Sequence, residues 1–340
     1  MKKKITIKDV AKKADVSPST VSRVISDNPN ISEQTKDKVK KIMNELNYHP
    51  NAIARSLVKQ ETNTLGLVMS RSTEMAFANP FFSEIIQGIA KSTKEQHYNL
   101  MISSSDDYKS EYEETIKLYK DGRVDGLIIM ASRVNDKLIS TLKDMNCPFV
   151  LIGRSPESTN IPRVDNANIE AAYKMTNFLI NNGSQKIALL SGPAGYVVSR
   201  DRIQGYKNAL KDNKITFKEN LIKYTEFDYE SGYQVVEKIS EETIAKLDHI
   251  FALDDLLAVS VINVLLDRGY KIPEDIGVVG FNDQPIAKYI NPKLTTVKVP
   301  IKEMGKKAAE MLIKIINVDS YHGEEVIVPT NIISRQTHGN

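Results

Sequence analysis

From residue 64 onward, short unbroken apolar runs alternate with amphipathic stretches, and no other feature of the chain restricts its fold as strongly. The runs lie at 64–69, 98–102, 126–130, 149–152, 186–190, 250–253 and 277–281, with helical patterns at 81–96, 110–120, 168–182, 200–211 and 301–317 among them. Strands apolar on both faces belong in parallel sheets covered on each side by helices, so this pattern predicts an α/β body of doubly wound parallel sheets. The stretch is too long for one comfortable sheet, and two lobes, each with its own core, are the natural division. In such sheets ligands bind beyond the carboxyl ends of the strands, and two facing lobes turn those ends into the walls of a cleft.

The first sixty residues are different. They carry thirteen Lys and Arg against six Asp and Glu, whereas the remainder carries 33 against 37. A small basic head on a faintly acidic body suits a polyanionic partner, although a solvated lysine-rich domain has the same balance. The longest apolar runs, such as Leu127 to Ala131, are far too short to cross a bilayer. The opening Met-Lys-Lys-Lys is not followed by the apolar core of an export signal, so the expected location is cytoplasmic. The single Cys147 cannot form an internal disulfide or a thiolate metal cluster, and its apolar neighbours predict buried filler.

Residues 6–46 read as three short helices. Thr6 caps the first, with Asp9 three residues on, and Val10, Ala11 and Ala14 form its apolar side. After a tight turn through Asp15, Ser17 caps a second helix with Pro18 at its first position, where a missing N–H is harmless. Val21, Val24 and Ile25 face inward there, leaving Ser19, Thr20, Ser22 and Arg23 outside. A third helix follows Ser32, buries Val39, Ile42, Met43 and Leu46, and stops at Asn47. Two short helices joined by a tight turn describe a helix-turn-helix, whose second helix enters the DNA major groove. A three-helix bundle without a DNA role has the same spacing.

The residues themselves go further. Ile5-Thr6-Ile7-Lys8-Asp9-Val10-Ala11, Ser19-Thr20-Val21-Ser22-Arg23-Val24 and Tyr48-His49-Pro50-Asn51-Ala52-Ile53-Ala54-Arg55-Ser56-Leu57 resemble the headpiece and hinge of the LacI/GalR family of transcription regulators. The resemblance extends over essentially the whole chain and is finest to the maltose-operon repressors (MalR type) of Gram-positive bacteria. It implies a helix-turn-helix DNA-binding headpiece at 1–50, a hinge helix and linker at 51–61, and a periplasmic-binding-protein-like effector-binding and dimerisation core at 62–340. Its implied lobes are about 62–161 with 293–323, and 162–292 with 324–340.

DNA contacts implied by the resemblance are Thr6, Ser17, Pro18, Ser19, Thr20, Ser22 and Arg23 in the head and Asn51, Ala54 and Leu57 in the hinge. Base readout rests mainly on Pro18, Ser19 and Arg23, and Leu57 sits where the family drives an apolar wedge between base steps. Pro18 is a poor hydrogen-bonding residue, so readout at that step rests on contact and shape. The implied partners are pseudo-palindromic double-stranded operator DNA, a sugar effector (maltose or a related sugar) and a second copy of the chain. The family's tetrameric members carry a C-terminal heptad helix; residues 332–340 show no such repeat, and a homodimer is expected.

At the strand ends, Asn79-Pro80-Phe81-Phe82 supplies an amide and flat apolar rings, the mixture a sugar site needs, though Phe82 also suits a core. Arg202, Asp254 and Asp283 correspond to polar effector contacts of the family, and Phe227 to an aromatic platform over the ligand ring. Asp255 reads as the cap of the next helix and Arg200 as a surface ion pair. Where some sugar-responsive relatives carry an acid, this chain has Gly153-Arg154.

An enzyme is not expected. The Ser191-Gly192-Pro193-Ala194-Gly195 run lacks a phosphate-binding lysine, no His-Glu-x-x-His motif or nucleophile elbow is present, and the five histidines are scattered. No cofactor or metal is implied. Two alternatives to the sugar-controlled repressor remain from sequence: a catabolite regulator that docks a phosphorylated carrier protein, and a nucleobase-responsive repressor with Phe227 stacked on a purine. A solute-binding transport protein shares the body but carries an export signal in place of the basic head.

Overall fold

The computed structural model describes residues 5–48, 61–69, 73–130, 133–134, 136–157, 160–318 and 321–339. The chain divides into two units, Met1–Thr62 and Asn63–Asn340. The hinge residues Asn51, Ala54 and Leu57 lie outside the described residues.

The head is built from α1 (Ile7–Ala14), α2 (Pro18–Ile25) and α3 (Glu33–Glu45). Local chemistry sets each boundary. The Asp9 carboxylate accepts from the Thr6 N–H at 2.9 Å and from its hydroxyl at 2.7 Å, which starts α1. Asp15, at φ +53°, ends it and turns the chain. The Ser17 hydroxyl then accepts from the Thr20 N–H at 3.0 Å, and Pro18 begins α2. Asn47, at φ +49°, makes the left-handed stop after α3. Val10, Ala11, Ala14, Val21, Val24, Val39 and Ile42 close the small core.

Among the described residues the body contains two six-stranded sheets. The first has the order β11 (Glu325–Val328), β5 (Arg163–Asn166), β4 (Phe149–Ile152), β3 (Gly126–Ile129), β1 (Thr64–Met69), β2 (Asn99–Ser104). The second runs β12 (Asn331–Ile333), β10 (Thr295–Lys298), β9 (Gly277–Asn282), β8 (His249–Ala252), β6 (Ile187–Ser191), β7 (Ile222–Tyr224). Every pairing is parallel except β10 with β12. Central registers bring Leu67 opposite Ile102 and Ile128, and Phe251 opposite Leu189 and Val279. All of these but Ile102 are buried, as expected for strands covered on both faces.

Helix Pro80–Glu95 packs on helix Ile301–Asn317 over the first sheet, although the two are more than two hundred residues apart. Their backbones meet closely: a Cβ on Gly88 would lie 2.0 Å from the Lys302 carbonyl oxygen. Helices Asn168–Asn181 and Val197–Asp212 pack together in the second lobe. Cys147 is buried, and burial pushes its thiol up to about 12, the behaviour of apolar filler.

The crossings between lobes fall later than the sequence reading sets them. β5 and β11 complete the first sheet and β10 belongs to the second, so crossings follow residues 166, 298 and 328 and not about 161, 292 and 323. Periodicity cannot assign a four-residue strand to a sheet; only its hydrogen-bonded neighbour does, β4 for β5 and β9 for β10.

Candidate functional site

The carboxyl ends of both sheets face one cavity of about 830 Å³, its open mouth included. Phe81, Phe82, Met130 and Ile152 line it from the first lobe, with Val197, Val198 and Phe227 from the second. Between these apolar surfaces sit Asn79, Arg154, Asp165, Asn166, Asn168, Asp201, Arg202, Asp254 and Asn282.

Arg202 is the centre of the polar wall. Helix Val197–Asp212 carries it inward until it is 4 % exposed. Its Nε donates to Asn168 Oδ1 at 2.9 Å, Nη1 to the Leu253 carbonyl at 2.5 Å and Nη2 to Asn282 Oδ1 at 3.4 Å. The guanidinium also lies 3.6 Å from the Phe281 ring centroid. Burial pulls its pKa down to about 10, opposed chiefly by the Asp254 charge, so it stays protonated at neutral pH.

Asp254 caps helix Asp255–Asp267 by accepting from the Leu256 N–H at 2.8 Å. Its second oxygen accepts from Asn282 Nδ2 at 2.9 Å. The cap is therefore Asp254, not Asp255 as the sequence suggests. Asp255 is fully buried and accepts from the Thr296 hydroxyl at 2.5 Å and the Gln284 N–H at 2.7 Å. That burial holds its carboxyl well above the ordinary range.

Several contacts cross between lobes. Asn79, which caps helix Pro80–Glu95, donates to the Phe227 carbonyl at 3.1 Å and accepts from Gln284 Nε2 at 3.0 Å. Arg154, just past β4, donates through Nε to Asp201 Oδ2 at 2.6 Å and through Nη2 to the other carboxylate oxygen, a two-pronged ion pair. Arg133 forms a backbone bridge with Tyr196, and the Val134 N–H donates to the Gly195 carbonyl at 3.0 Å. Behind Arg154, burial raises the Asp165 carboxyl to about 6 even though the Asn166 N–H donates to it at 2.8 Å.

The structure thus brings together five of the six residues expected from sequence: Asn79, Phe81, Arg202, Phe227 and Asp254. Asp283 is not among the cavity's lining residues. Its side chain turns to the C-terminal segment, where Arg335 Nη2 donates to it at 2.5 Å. The preceding residue, Asn282, takes its place: φ of +115° at Asn282 and +56° at Asp283 bends the chain sharply as β9 ends. Sequence reasoning missed Asp165 and Asn166 because β5 is short and polar, with no strand signal of its own, and Asn168 because nothing in the helical pattern at 168–182 marks its first residue as part of the cleft. Asp201 was legible beside Arg202, but nothing in the sequence pairs it with Arg154. Arg200 is exposed and donates to the Ala194 carbonyl at 3.3 Å, and among the described residues it has no carboxylate partner.

In the head, Ser17, Pro18, Ser19 and Arg23 lie on the exposed side of α2, with Thr20 and Ser22 half-buried beside them. Thr6 is exposed at the start of α1. Residues 6–51 match the family described as bacterial regulatory proteins, lacI family, and residues 176–338 match a periplasmic binding protein-like domain. The chain is 37 % identical to the HTH-type transcriptional regulator MalR of Streptococcus pneumoniae over 92 % of its own length and 93 % of that protein's. It belongs to the lacI family of transcription regulators. The HTH-type transcriptional repressor PurR of Vibrio atlanticus is another relative of this lacI-family chain, 35 % identical over 98 % of each. Among solved structures, the lac repressor dimer bound to operator and the anti-inducer ONPF superposes with a TM-score of 0.87 at 25 % identity, covering 99 % of this chain and 100 % of that one. The transcriptional regulator CelR–cellobiose complex superposes with a TM-score of 0.76 at 29 % identity, covering 98 % and 99 %. These relatives are regulators and not enzymes. Among the described residues no helix is long and apolar enough to cross a membrane, and no three His, Cys, Asp or Glu are grouped to hold a metal.

Proposed function

We propose that this lacI-family repressor binds a pseudo-palindromic operator as a homodimer and that a sugar, maltose or a relative of it, adjusts its grip from the interlobe cavity. The observation that carries the effector reading is the lining. Apolar rings and aliphatic side chains offer flat surfaces for sugar C–H groups, and a fixed network of Arg, Asn and Asp offers hydrogen bonds to hydroxyls. Two guanidiniums, Arg154 and Arg202, face three carboxylates, Asp165, Asp201 and Asp254. That near-balance suits an uncharged polyol better than a sugar phosphate. The CelR complex with cellobiose supports the same reading.

For DNA, the exposed Pro18, Ser19 and Arg23 read base edges, Arg23 pairing two-pronged with guanine, while Thr6, Ser17, Thr20 and Ser22 secure the helix and neighbouring phosphates. One such helix touches too few base pairs for tight binding, which is the reason for a dimer; the operator-bound lac repressor dimer supports it. Asn51, Ala54 and Leu57 belong to the hinge, with Leu57 as the wedge.

A ligand shifts an equilibrium only by its differential affinity for two states. Sugar that bridges the lobes changes their separation, which supplies a difference between two states for the ligand to act on. Calorimetric titration of maltose with and without operator tests the scheme. Coupling of this kind typically weakens sugar binding about 5- to 150-fold when operator is present. Tighter sugar binding with operator makes the sugar a corepressor. No response to maltose or its relatives, with a response to purines, transfers the site to a nucleobase, a reading to which the PurR relative lends weight. No response to any small molecule favours docking of a phosphorylated carrier protein.

A further inference from the structure

We infer that Gly192 is a positioning residue: it seats the Phe227 ring as a wall of the cavity, and any side chain at 192 drives that ring into the ligand space. The inference deepens the proposed effector site and rests on that cavity being where the ligand binds.

Gly192 lies one residue past β6, in the Ser191–Gly195 run whose glycines the DNA and effector readings leave unexplained. A Cβ built on Gly192 would fall 2.2 Å from both Cε2 and Cζ of Phe227 and 2.6 Å from its Cδ2. No side-chain carbon tolerates such distances, so one partner must move. Neither backbone is free to retreat. Ser191 is paired with Tyr224 across β6 and β7, and its carbonyl accepts from the Thr225 N–H at 2.8 Å and the Thr225 hydroxyl at 3.1 Å. The Phe227 carbonyl is held in turn by Asn79 at 3.1 Å. What can move is the ring, which also packs against the apolar core of the second lobe. With the loop backbone on one side and the packed core behind, the open direction is the cavity that Phe227 lines.

Gly192 has no left-handed φ, so its backbone conformation does not demand glycine; the ring does. Gly195, three residues on in the same loop, supplies the contrast. A Cβ there meets nothing within 4 Å. Two glycines in one short run thus have different reasons to exist, and only the first shapes the site.

The test uses the full-length protein labelled with 4-fluorophenylalanine at its nine phenylalanines. The Phe227 fluorine resonance is assigned by its loss in Phe227→Leu, then compared in the parent, Gly192→Ala and Gly195→Ala. Gly192→Ala is expected to move that resonance and Gly195→Ala to leave it in place. Calorimetry with maltose and cellobiose follows. Gly192→Ala is expected to weaken binding of whichever sugar binds the parent by about tenfold or more, the scale of an overpacked site. In a Phe227→Ala background the same substitution should change affinity less than about twofold, because the collision is gone. Operator binding by Gly192→Ala should match the parent, which separates ring displacement from unfolding. An unmoved Phe227 resonance overturns the inference, as does a sugar affinity that falls equally with and without the Phe227 ring. If neither sugar binds the parent, the effector reading fails for them, and the fluorine shift alone still decides the role of Gly192.

Discussion

In the head, Ser17, Pro18, Ser19 and Arg23 fall within one seven-residue stretch and are all exposed. In the body, Asn79 and Gln284 are 205 residues apart in the chain and meet at 3.0 Å, both buried. The first arrangement follows from helical periodicity and two caps. The second exists only after two sheets have formed and the chain has crossed between them three times. The contrast also separates two kinds of cost. A side chain on the exposed face of a helix is removed with little effect on folding, whereas a buried hydrogen-bonded cation or carboxylate leaves orphaned partners behind.

Arg202→Ala strains that contrast most. It strips partners from Asn168, the Leu253 carbonyl and Asn282 in a buried site and should cost the body about 3–5 kcal/mol, besides abolishing the effector response. Chemical denaturation followed by sugar titration checks both. A fully stable Arg202→Ala that merely ignores sugar would mean that the guanidinium is less committed to internal partners than the structure shows.

Asp165→Asn sharpens the same point through pH. Because burial raises the folded carboxyl to about 6 from an ordinary 3.8, ionisation is harder in the folded state than in the unfolded chain. Below about pH 4 the carboxyl is protonated in both states and adds no pH dependence. As pH rises through 4 to 6 the parent loses stability that the amide variant keeps. The gap in favour of Asp165→Asn should grow by up to ~3 kcal/mol across that window. Paired melts at pH 3.5, 5 and 7 report it, and a gap that shrinks with pH reverses the assignment.

Arg23→Ala should cost ~1–3 kcal/mol on operator and little on random DNA, with a melting temperature unchanged from the parent. Equal loss on both DNAs would reassign Arg23 to phosphate. Smallest of all, Ser17→Ala removes the hydroxyl that accepts from the Thr20 N–H and should destabilise the head by ~1 kcal/mol, read as a local rise in amide exchange along α2. The body's exchange should not change, since the two form separate units.

Much of this protein is written in short stretches of its sequence. The head's helices, their caps at Ser17 and Ser32, the turn at Asp15 and the stop at Asn47 are local decisions, settled by which backbone groups a nearby side chain can satisfy. The parallel sheets follow from runs apolar on both faces. Of the five expected residues that line the cavity, Asn79, Phe81 and Asp254 follow those runs, whereas Arg202 and Phe227 were expected from the family resemblance. Tertiary structure decided the rest. A strand as short and polar as Arg163–Asn166 has no identity until β4 pairs with it, and that pairing is what carries Asp165 into the cleft. The exchange of Asp283 for Asn282 turns on backbone angles at a single bend, which residue types alone do not dictate. Arg154 and Asp201, 47 residues apart, become partners only because opposite lobes present them to the same space. Periodicity reports how a segment covers itself from water; it carries no information about which distant segment completes its hydrogen bonds.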